Sequence, residues 1–329
     1  MAEQGVLVFG EVKDGKLIGT AREAVALGLN LVKSIGGQVS AVVIGKNTEA
    51  NAKVLVESGA QKVYTFENAE LGDYQPDAYL QVLQHAVQTI NPKVIVMGQS
   101  DTGKDLAPKL AFRLHASLTM DSTEVVADGG KIRVTKPVYG GNALGVYESS
   151  APCHVVTIRA KAYEALEQQA GRQGAIEKLN AALDPSKIKV RVTQVKKQES
   201  TGIRLEDAAV VVSGGRGLGG PEPFKKLEEL AKSLGGAVGA SRAVCDAGWM
   251  PHSMQVGLTG KTVTPNLYIA VAISGASQHM AGCSASKNIV AINKDKDSNI
   301  FKESRFGVVG NWEEILPAFI DMVKELRGS

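Results

Sequence analysis

The chain has 329 residues, enough for two domains of ordinary size, and a formal net charge of +3 too mild to argue for nucleic acid. Its three cysteines (Cys153, Cys245, Cys283) form no disulfide framework, and its five histidines are scattered without an HxH or HxxxH pair. A reducing compartment is therefore expected, with no metal site and no nucleic-acid partner.

The N-terminus, MAEQGVLVFGEV, carries no basic region before a long apolar core, and it is acidic where a transit peptide is Arg-rich. The expected location is the bacterial cytoplasm, or the mitochondrial matrix in a eukaryote. No apolar run reaches the roughly 18 residues of a membrane span, so the chain is not expected to span a membrane. VLVFGEV reads as a strand, TAREAVALGLNLVKSI as a helix, VSAVVIG as a strand and NTEANAKVLVESG as a helix. KVYTF, YLQVLQHAVQTI, KVIVMG and KDLAPKLAFRLH continue the alternation, which predicts a parallel sheet covered on both faces. After His115 the rhythm changes to hairpins, with turns at Asp128-Gly129 and Gly140-Gly141, before HVVTIRAKAYEAL resumes a strand. The Lys run in IKVRVTQVKKQ fits the exposed face of a strand. QESTGIRLEDA is polar and weakly patterned, which places the domain boundary there: an N-terminal α/β domain over 1–198 and a second over 199–329. In the second, AAVVVSGG, a helix, GGAVGAS, LYIAVAIS, NIVAINKD and FGVVGN repeat the alternation, and NWEEILPAFIDMVKELR is the last helix.

Three stretches suggest phosphate binding. Gly98-Gln-Ser-Asp-Thr-Gly103-Lys104-Asp105 resembles a P-loop between strand and helix, but Asp105 stands where a hydroxyl must bind Mg²⁺. QVGLTGKTV fails the same pattern, because Gln255 takes the place of its first glycine. SGGRGLGG contains Gly215-x-Gly217-x-x-Gly220 after an apolar run and before a helical one. The acidic residue that follows a dinucleotide turn by about 20 residues is missing. The turn therefore fits either a nucleotide or a plain tight bend that needs glycine backbone angles. SRAVCDAG, ISGASQHMAG and NKD also close apolar strands. Together these stretches place polar and glycine residues at the carboxyl ends of several strands of one sheet, where open α/β sheets bind ligands.

Read in order, SGGRGLGG, SRAVCDAG, MQVGLTGK, YIAVAISGASQHMAG, IVAINKD and FGVVGN resemble the α subunit of electron transfer flavoprotein over about 120 residues from Ala209. The N-terminal part is similar more loosely, through strand order and GKDLAPKLA. The resemblance implies an α/β protein of two domains, each a mainly parallel sheet flanked by helices. The first is nucleotide-hydrolase-like with no nucleotide expected, and the second is a doubly wound fold that binds FAD. The implied contacts are Arg216, Ser241, Arg242, Val256, Gly257, Leu258, Thr259, Ser274, Gly275, Ala276, Ser277, Gln278, His279, Asn293, Asn311 and Trp312. By the same analogy Arg242 lies against the isoalloxazine, His279 donates toward its O2, Thr259 reaches N5, and the N–H groups of Ser274 to Ala276 suit the pyrophosphate. A cation and a donor there stabilise the charge of a one-electron-reduced ring. Leu258 replaces the family's Gln, and Gly310-Asn311-Trp312 its Ala-Asp-Leu; Asn311 can still donate and accept near the adenosine. Cys245 is expected to be buried and inert.

The implied function is an electron carrier without catalytic residues of its own, in a heterodimer with a β subunit. It would take electrons from acyl-CoA or other flavin dehydrogenases, as in fatty acid β-oxidation, and pass them to a membrane quinone oxidoreductase. The neighbouring alternative is an electron-bifurcating relative that uses NADH, with a second FAD in the β subunit. Two alternatives of other classes are a universal-stress-type sensor binding ATP at Gly98 to Lys104, and an NAD-dependent dehydrogenase.

Overall fold

A computed structural model describes residues 5–141, 143–195 and 203–327. The chain divides into two compact units, Met1–Pro137 with Leu144–Lys196, and Val138–Ala143 with Lys197–Ser329. The expected boundary at 198/199 falls on residues outside the described ones.

The first unit opens with β1 (Val6–Phe9), the short hairpin β2 (Val12–Lys13) and β3 (Lys16–Leu17), and α1 (Gly19–Ile35). Then come β4 (Val39–Gly45), α2 (Glu49–Glu57), β5 (Lys62–Glu67), α3 (Pro76–Ile90), β6 (Val94–Gly98) and α4 (Asp101–Leu114). β7 (Ser117–Ser122), β8 (Glu124–Asp128), β9 (Lys131–Val138), β10 (Ala143–Glu148), β11 (His154–Ile158) and β12 (Ala175–Lys178) complete it. Seven strands form one sheet in the order β12-β5-β4-β1-β6-β11-β7, with every neighbouring pair parallel. Side chains alternate between the two faces, so both must be covered. Leu7 and Phe9 point to the core beneath α3 and α4, with Tyr79, Leu83 and Leu110. Val6 and Val8 point to the other, with Val25 and Leu31 of α1 and Leu55 of α2.

Three expectations need correction. Residues 188–195 of IKVRVTQVKKQ form no strand and run exposed for the most part, and 196–198 lie outside the described residues. HVVTI is a strand, but RAKAYEAL is not, because the chain leaves the sheet after Ile158. The region after His115 is not hairpins alone: β7 joins the parallel sheet at its edge, beside β11. Hairpin pairing was the local reading of these residues; β7 instead finds its partner 36 to 37 residues further on (His154↔Ser117, Val155↔Leu118). The hairpin of β8 and β9 does form, with its turn at Gly129 and Gly130 in the left-handed region.

The near P-loop does open α4. Ser100 caps the helix by accepting from Gly103 N–H at 2.9 Å, and its hydroxyl donates to the buried Glu11 carboxylate. Asp105 accepts from the Tyr74 hydroxyl at 2.7 Å and pairs with Lys109 at 2.6 Å. A carboxylate thus already stands at the helix start, where positive backbone dipoles favour it.

A second buried acid, Glu23 on α1, accepts from Lys161 N–H at 2.8 Å. Burial pushes its carboxyl up to about 7, with the Lys161 hydrogen bond opposing. A carboxyl raised in this way contributes stability below its ordinary range and loses it as pH climbs toward 7. Glu23→Gln keeps an acceptor and does not ionise. It should therefore melt above the wild type at pH 8, by up to about 3 kcal/mol, with the gap closing below pH 5. Thermal melts of both proteins from pH 5 to 8 check this.

The second unit contains β13 (Val210–Gly214), α5 (Phe224–Ser233), β14 (Ala237–Ala240), α6 (Arg242–Asp246) and β15 (Leu267–Val271). α7 (Ser277–Met280), β16 (Ile289–Asn293), α8 (Ile300–Glu303), β17 (Phe306–Val309) and α9 (Trp312–Arg327) follow. Its five strands are all parallel in the order β14-β13-β15-β16-β17. Phe224, Leu227 and Leu230 recur along one side of α5 and bury against Val212, Ile269 and Val271, with Leu316 and Ile320 of α9. The opposite face buries Val211, Tyr268, Ala270 and Ala291 with Met280 and Ile300.

Candidate functional site

α5 carries the chain from β13 outward to β14, and the chain then returns to β15 on the other side of β13. At such a reversal the loops leave in opposite directions, and a crevice opens at the carboxyl ends of the two strands. A cleft of about 750 Å³ lies there, within the usual range of ligand pockets. The loops after β13, β14, β15 and β16 all contribute to its wall.

After β13 the chain makes a short 3₁₀ turn, Arg216–Leu218, and α5 does not begin until Phe224. The glycine turn therefore does not run into a helix as a dinucleotide turn does, since Pro221 and Pro223 intervene. Gly215 has no room for a side chain: a Cβ there would sit 2.1 Å from the Ala272 carbonyl oxygen. That close approach seats the β13 loop against the β15 loop, and Gly215 N–H donates to Val271 O at 2.9 Å.

Arg216, Ser241 and Arg242 line the cleft, as do Val256, Gly257, Leu258 and Thr259. Ser274, Ala276, Gln278, His279 and Asn293 complete the predicted residues that the fold brings together there. Gly275, Ser277, Asn311 and Trp312 are not on this wall. Gly275, at φ +78°, turns toward the backbone of Ile300, where a Cβ would meet Ile300 N at 2.3 Å. Ser277 is the exposed first residue of α7. Asn311 holds the start of α9, with its amide donating to Glu313 Oε2 at 3.0 Å. Trp312 packs beside that helix's core, with the Lys226 ammonium 6.0 Å from its ring.

The polar groups differ in kind. Arg242 is two-thirds exposed and pairs with Asp246 one turn later, Nε to Oδ2 3.2 Å. A pair this open holds its charges weakly, so the guanidinium can turn toward a ligand. Thr259 Oγ1 accepts from the Gln255 side-chain amide at 2.9 Å, which leaves the hydroxyl proton to donate. Asn293 braces the loops: its amide donates to Ile273 O at 2.8 Å, and its Oδ1 accepts from Asp295 N–H. Among the described residues, no N–H of Ser274, Gly275 or Ala276 donates to a protein acceptor. His279 is buried, and burial pulls it down to about 4, so the ring is neutral at ordinary pH. Its Nε2 lies 2.9 Å from the Tyr268 hydroxyl, while its buried Nδ1 has no hydrogen-bond partner. The Val256 backbone acts on the ring in the other direction, less strongly than burial.

Cys245 is buried, and its thiol, raised by burial, donates to Pro251 O. Sequence reasoning passed over Gln255, Tyr268, Asp246 and Ser298. The i,i+4 spacing of Arg242 and Asp246 was legible. Tyr268 was hidden in an apolar strand, and Ser298, which donates to Ser274 O at 2.9 Å, in a polar loop. Among the described residues no cluster of His, Cys, Asp and Glu could hold a metal ion, and no helix is long and apolar enough to cross a membrane.

A doubly wound parallel sheet with a crevice at its winding reversal, rimmed by a cation, hydroxyls and free backbone N–H groups, defines an α/β ligand-binding protein of the nucleotide-cofactor type. Residues 6–184 match the electron transfer flavoprotein domain family, and residues 204–284 the electron transfer flavoprotein FAD-binding domain. The chain is 42% identical to the electron transfer flavoprotein subunit alpha of Bacillus subtilis (strain 168), with 98% of each chain covered. It is 36% identical to Protein FixB of Clostridium saccharobutylicum, covering 98% of this chain and 97% of that one. It is 34% identical to the acryloyl-CoA reductase electron transfer subunit beta of Anaerotignum propionicum, covering 97% and 95%. The chain belongs to the electron transfer flavoprotein family, as an α subunit, and its role is electron transfer.

The Gly215 contact yields a stability test. Gly215→Ala should lower the stability of the full chain by about 1–3 kcal/mol, because a methyl group must displace backbone. Urea unfolding with an unchanged slope and a lower midpoint is the expected result.

Proposed function

We propose that this chain is the FAD-bearing subunit of a heterodimeric electron carrier, with the cofactor held by residues 199–329 and a β subunit as its partner. The observation that carries this reading is the convergence of Arg242, Thr259, His279 and the free N–H groups of Ser274 and Ala276 on one cleft. The donor set fits a flavin dinucleotide. Backbone N–H groups with no protein acceptor suit a pyrophosphate. The Arg242 cation, the Thr259 hydroxyl and the buried His279 Nδ1 suit the ring system that the resemblance places beside them. FAD, when bound, supplies the capacity to take up and release single electrons.

The protein's part is to bind, orient and polarise. The exposed Arg242 guanidinium offers compensating charge when negative charge arrives in the cleft. The neutral His279 ring offers directed hydrogen bonding without a second cation. Asn293 and Ser298 tie the loops after β15 and β16 together, so the donors stay in register. His279 faces Tyr268 rather than Ser241, Ser274 or Thr259, so the cleft pairs no nucleophile with a base. That arrangement suits a carrier better than an enzyme working through an activated nucleophile. We infer that its donors are acyl-CoA or other flavin dehydrogenases, as in fatty acid β-oxidation in a bacterial cytoplasm, and its acceptor a membrane quinone oxidoreductase.

A second reading is an electron-bifurcating flavoprotein that takes electrons from NADH, with a second FAD in the β subunit; that one relative is named as the electron transfer subunit of a reductase keeps a partner other than a dehydrogenase in view. Stopped-flow absorbance of the purified heterodimer separates the two. The carrier reading expects one FAD per heterodimer, fast reduction by a reduced acyl-CoA dehydrogenase and slow reduction by NADH. Fast reduction by NADH with two flavins per heterodimer would establish the second reading. Direct reduction by an acyl-CoA with no dehydrogenase present would overturn both.

Charge in the cleft provides a further test. Arg242→Ala should lower the first one-electron potential of the bound flavin, because a cation is lost where negative charge is added. The expected size is on the order of a tenfold shift in that equilibrium, about 59 mV for one electron. Spectroelectrochemical titration measures it.

A further inference from the structure

Tyr268 lies at the start of β15 and is completely buried, on the sheet face beneath α7. Its hydroxyl sits 2.9 Å from His279 Nε2, and the two rings stand 6.1 Å apart at a tilt of 55°. Burial holds the phenol well above its ordinary range, with the Cys283 thiol acting in the same direction, so the hydroxyl keeps its proton. Two neighbours decide where that proton points. Ser213, on β13, is buried and its hydroxyl closes no hydrogen bond, so it does not hold the phenol proton. The Cys283 thiol is directed to the His279 carbonyl. Among the described residues, His279 Nε2 is the group at hydrogen-bonding distance from the phenol oxygen, and so the acceptor for its proton.

The other side of the imidazole agrees. Nδ1 is buried without a hydrogen-bond partner in the protein. With the phenol hydroxyl donating to Nε2, a neutral ring carries its proton on Nδ1. In a histidine the protonated nitrogen is set by the hydrogen bond that the other one makes.

We propose that Tyr268 is a positioning residue for His279: its hydroxyl donates to Nε2, locks the neutral ring as the Nδ1–H tautomer, and so presents a buried N–H donor to an acceptor oxygen of the ligand in the cleft. The part of this inference that concerns the ligand rests on the FAD reading above; the tautomer does not. The lock joins β15 and α7 through Tyr268 and His279. It explains why a strand otherwise made of aliphatic residues carries a buried phenol.

The test uses the full chain with its β subunit, labelled with ¹⁵N in the histidine rings, both flavin-free and flavin-loaded. In the flavin-free protein the ¹⁵N shifts and two-bond couplings of His279 should show the proton on Nδ1. Tyr268→Phe keeps the ring volume and removes the donor. It should move the proton toward Nε2, and it should lower the first one-electron equilibrium of the loaded protein by about three- to tenfold, the range of one hydrogen bond. A role in packing alone would leave the tautomer unchanged in this variant, and that result overturns the proposal. So does a proton on Nε2 in the wild type, which decides the matter without the variant if Tyr268→Phe fails to fold. If the flavin binds outside the cleft, the FAD reading fails, while the tautomer of the flavin-free protein still decides this one.

Discussion

The reversal of winding at β13 is the constraint on which the second unit depends. Parallel strands need long crossover connections. When successive crossovers run to opposite sides of one strand, no connection bridges the carboxyl ends of that strand and its new neighbour. Here those ends belong to β13 and β15, and the gap between their loops becomes the cleft. The contact between Gly215 and the Ala272 carbonyl sets how closely the two loops approach. Ala272 itself is held at φ +55°, an uncommon angle for a residue with a side chain, at the point where β15 turns into the cleft.

The electrostatics of the cleft divide between an open side and a closed one. Arg242 and Asp246 stand in solvent, where their attraction is screened and their geometry loose. His279 is buried against Tyr268, where a charged ring would lose its hydration, so neutrality is enforced there. An adjustable cation and a fixed neutral donor suit a site whose ligand changes charge while its position must not.

The first unit has the same kind of reversal, with β1 between β4 and β6 and the glycine-containing loop after β6 close by. Its chemistry differs. The buried Glu11 carboxylate meets the Ser100 cap of α4, and Asp105 is engaged by Tyr74 and Lys109. The capping hydroxyl of that helix start is thus engaged by a carboxylate of the chain itself. Similar topology thus presents a cleft rimmed with donors in one unit and an acidic loop in the other.

Much of this was legible along the chain. Strand–helix alternation implies parallel sheets, because near-continuous apolar runs such as VLVF and VIVMG, buried on both faces, need helices to cover them. The polar and glycine residues after the apolar runs AAVVV, LYIAVA and NIVAI mark carboxyl ends, and most of the implied site residues do meet on one cleft. Local pattern could not decide what depends on partners distant in sequence. IKVRVTQV has a strand's composition but, over its described part, no strand beside it. SLTMDS pairs with a strand more than thirty residues further on. Asn311 and Trp312 follow β17 at the edge of the sheet, two strands from the reversal, and their side chains serve α9 instead. Tyr268 reads as one more core residue of LYIAV. Only the packing of α7 over β15 brings its hydroxyl to His279, because a strand's pattern tells which face a side chain takes but not what the fold lays upon that face.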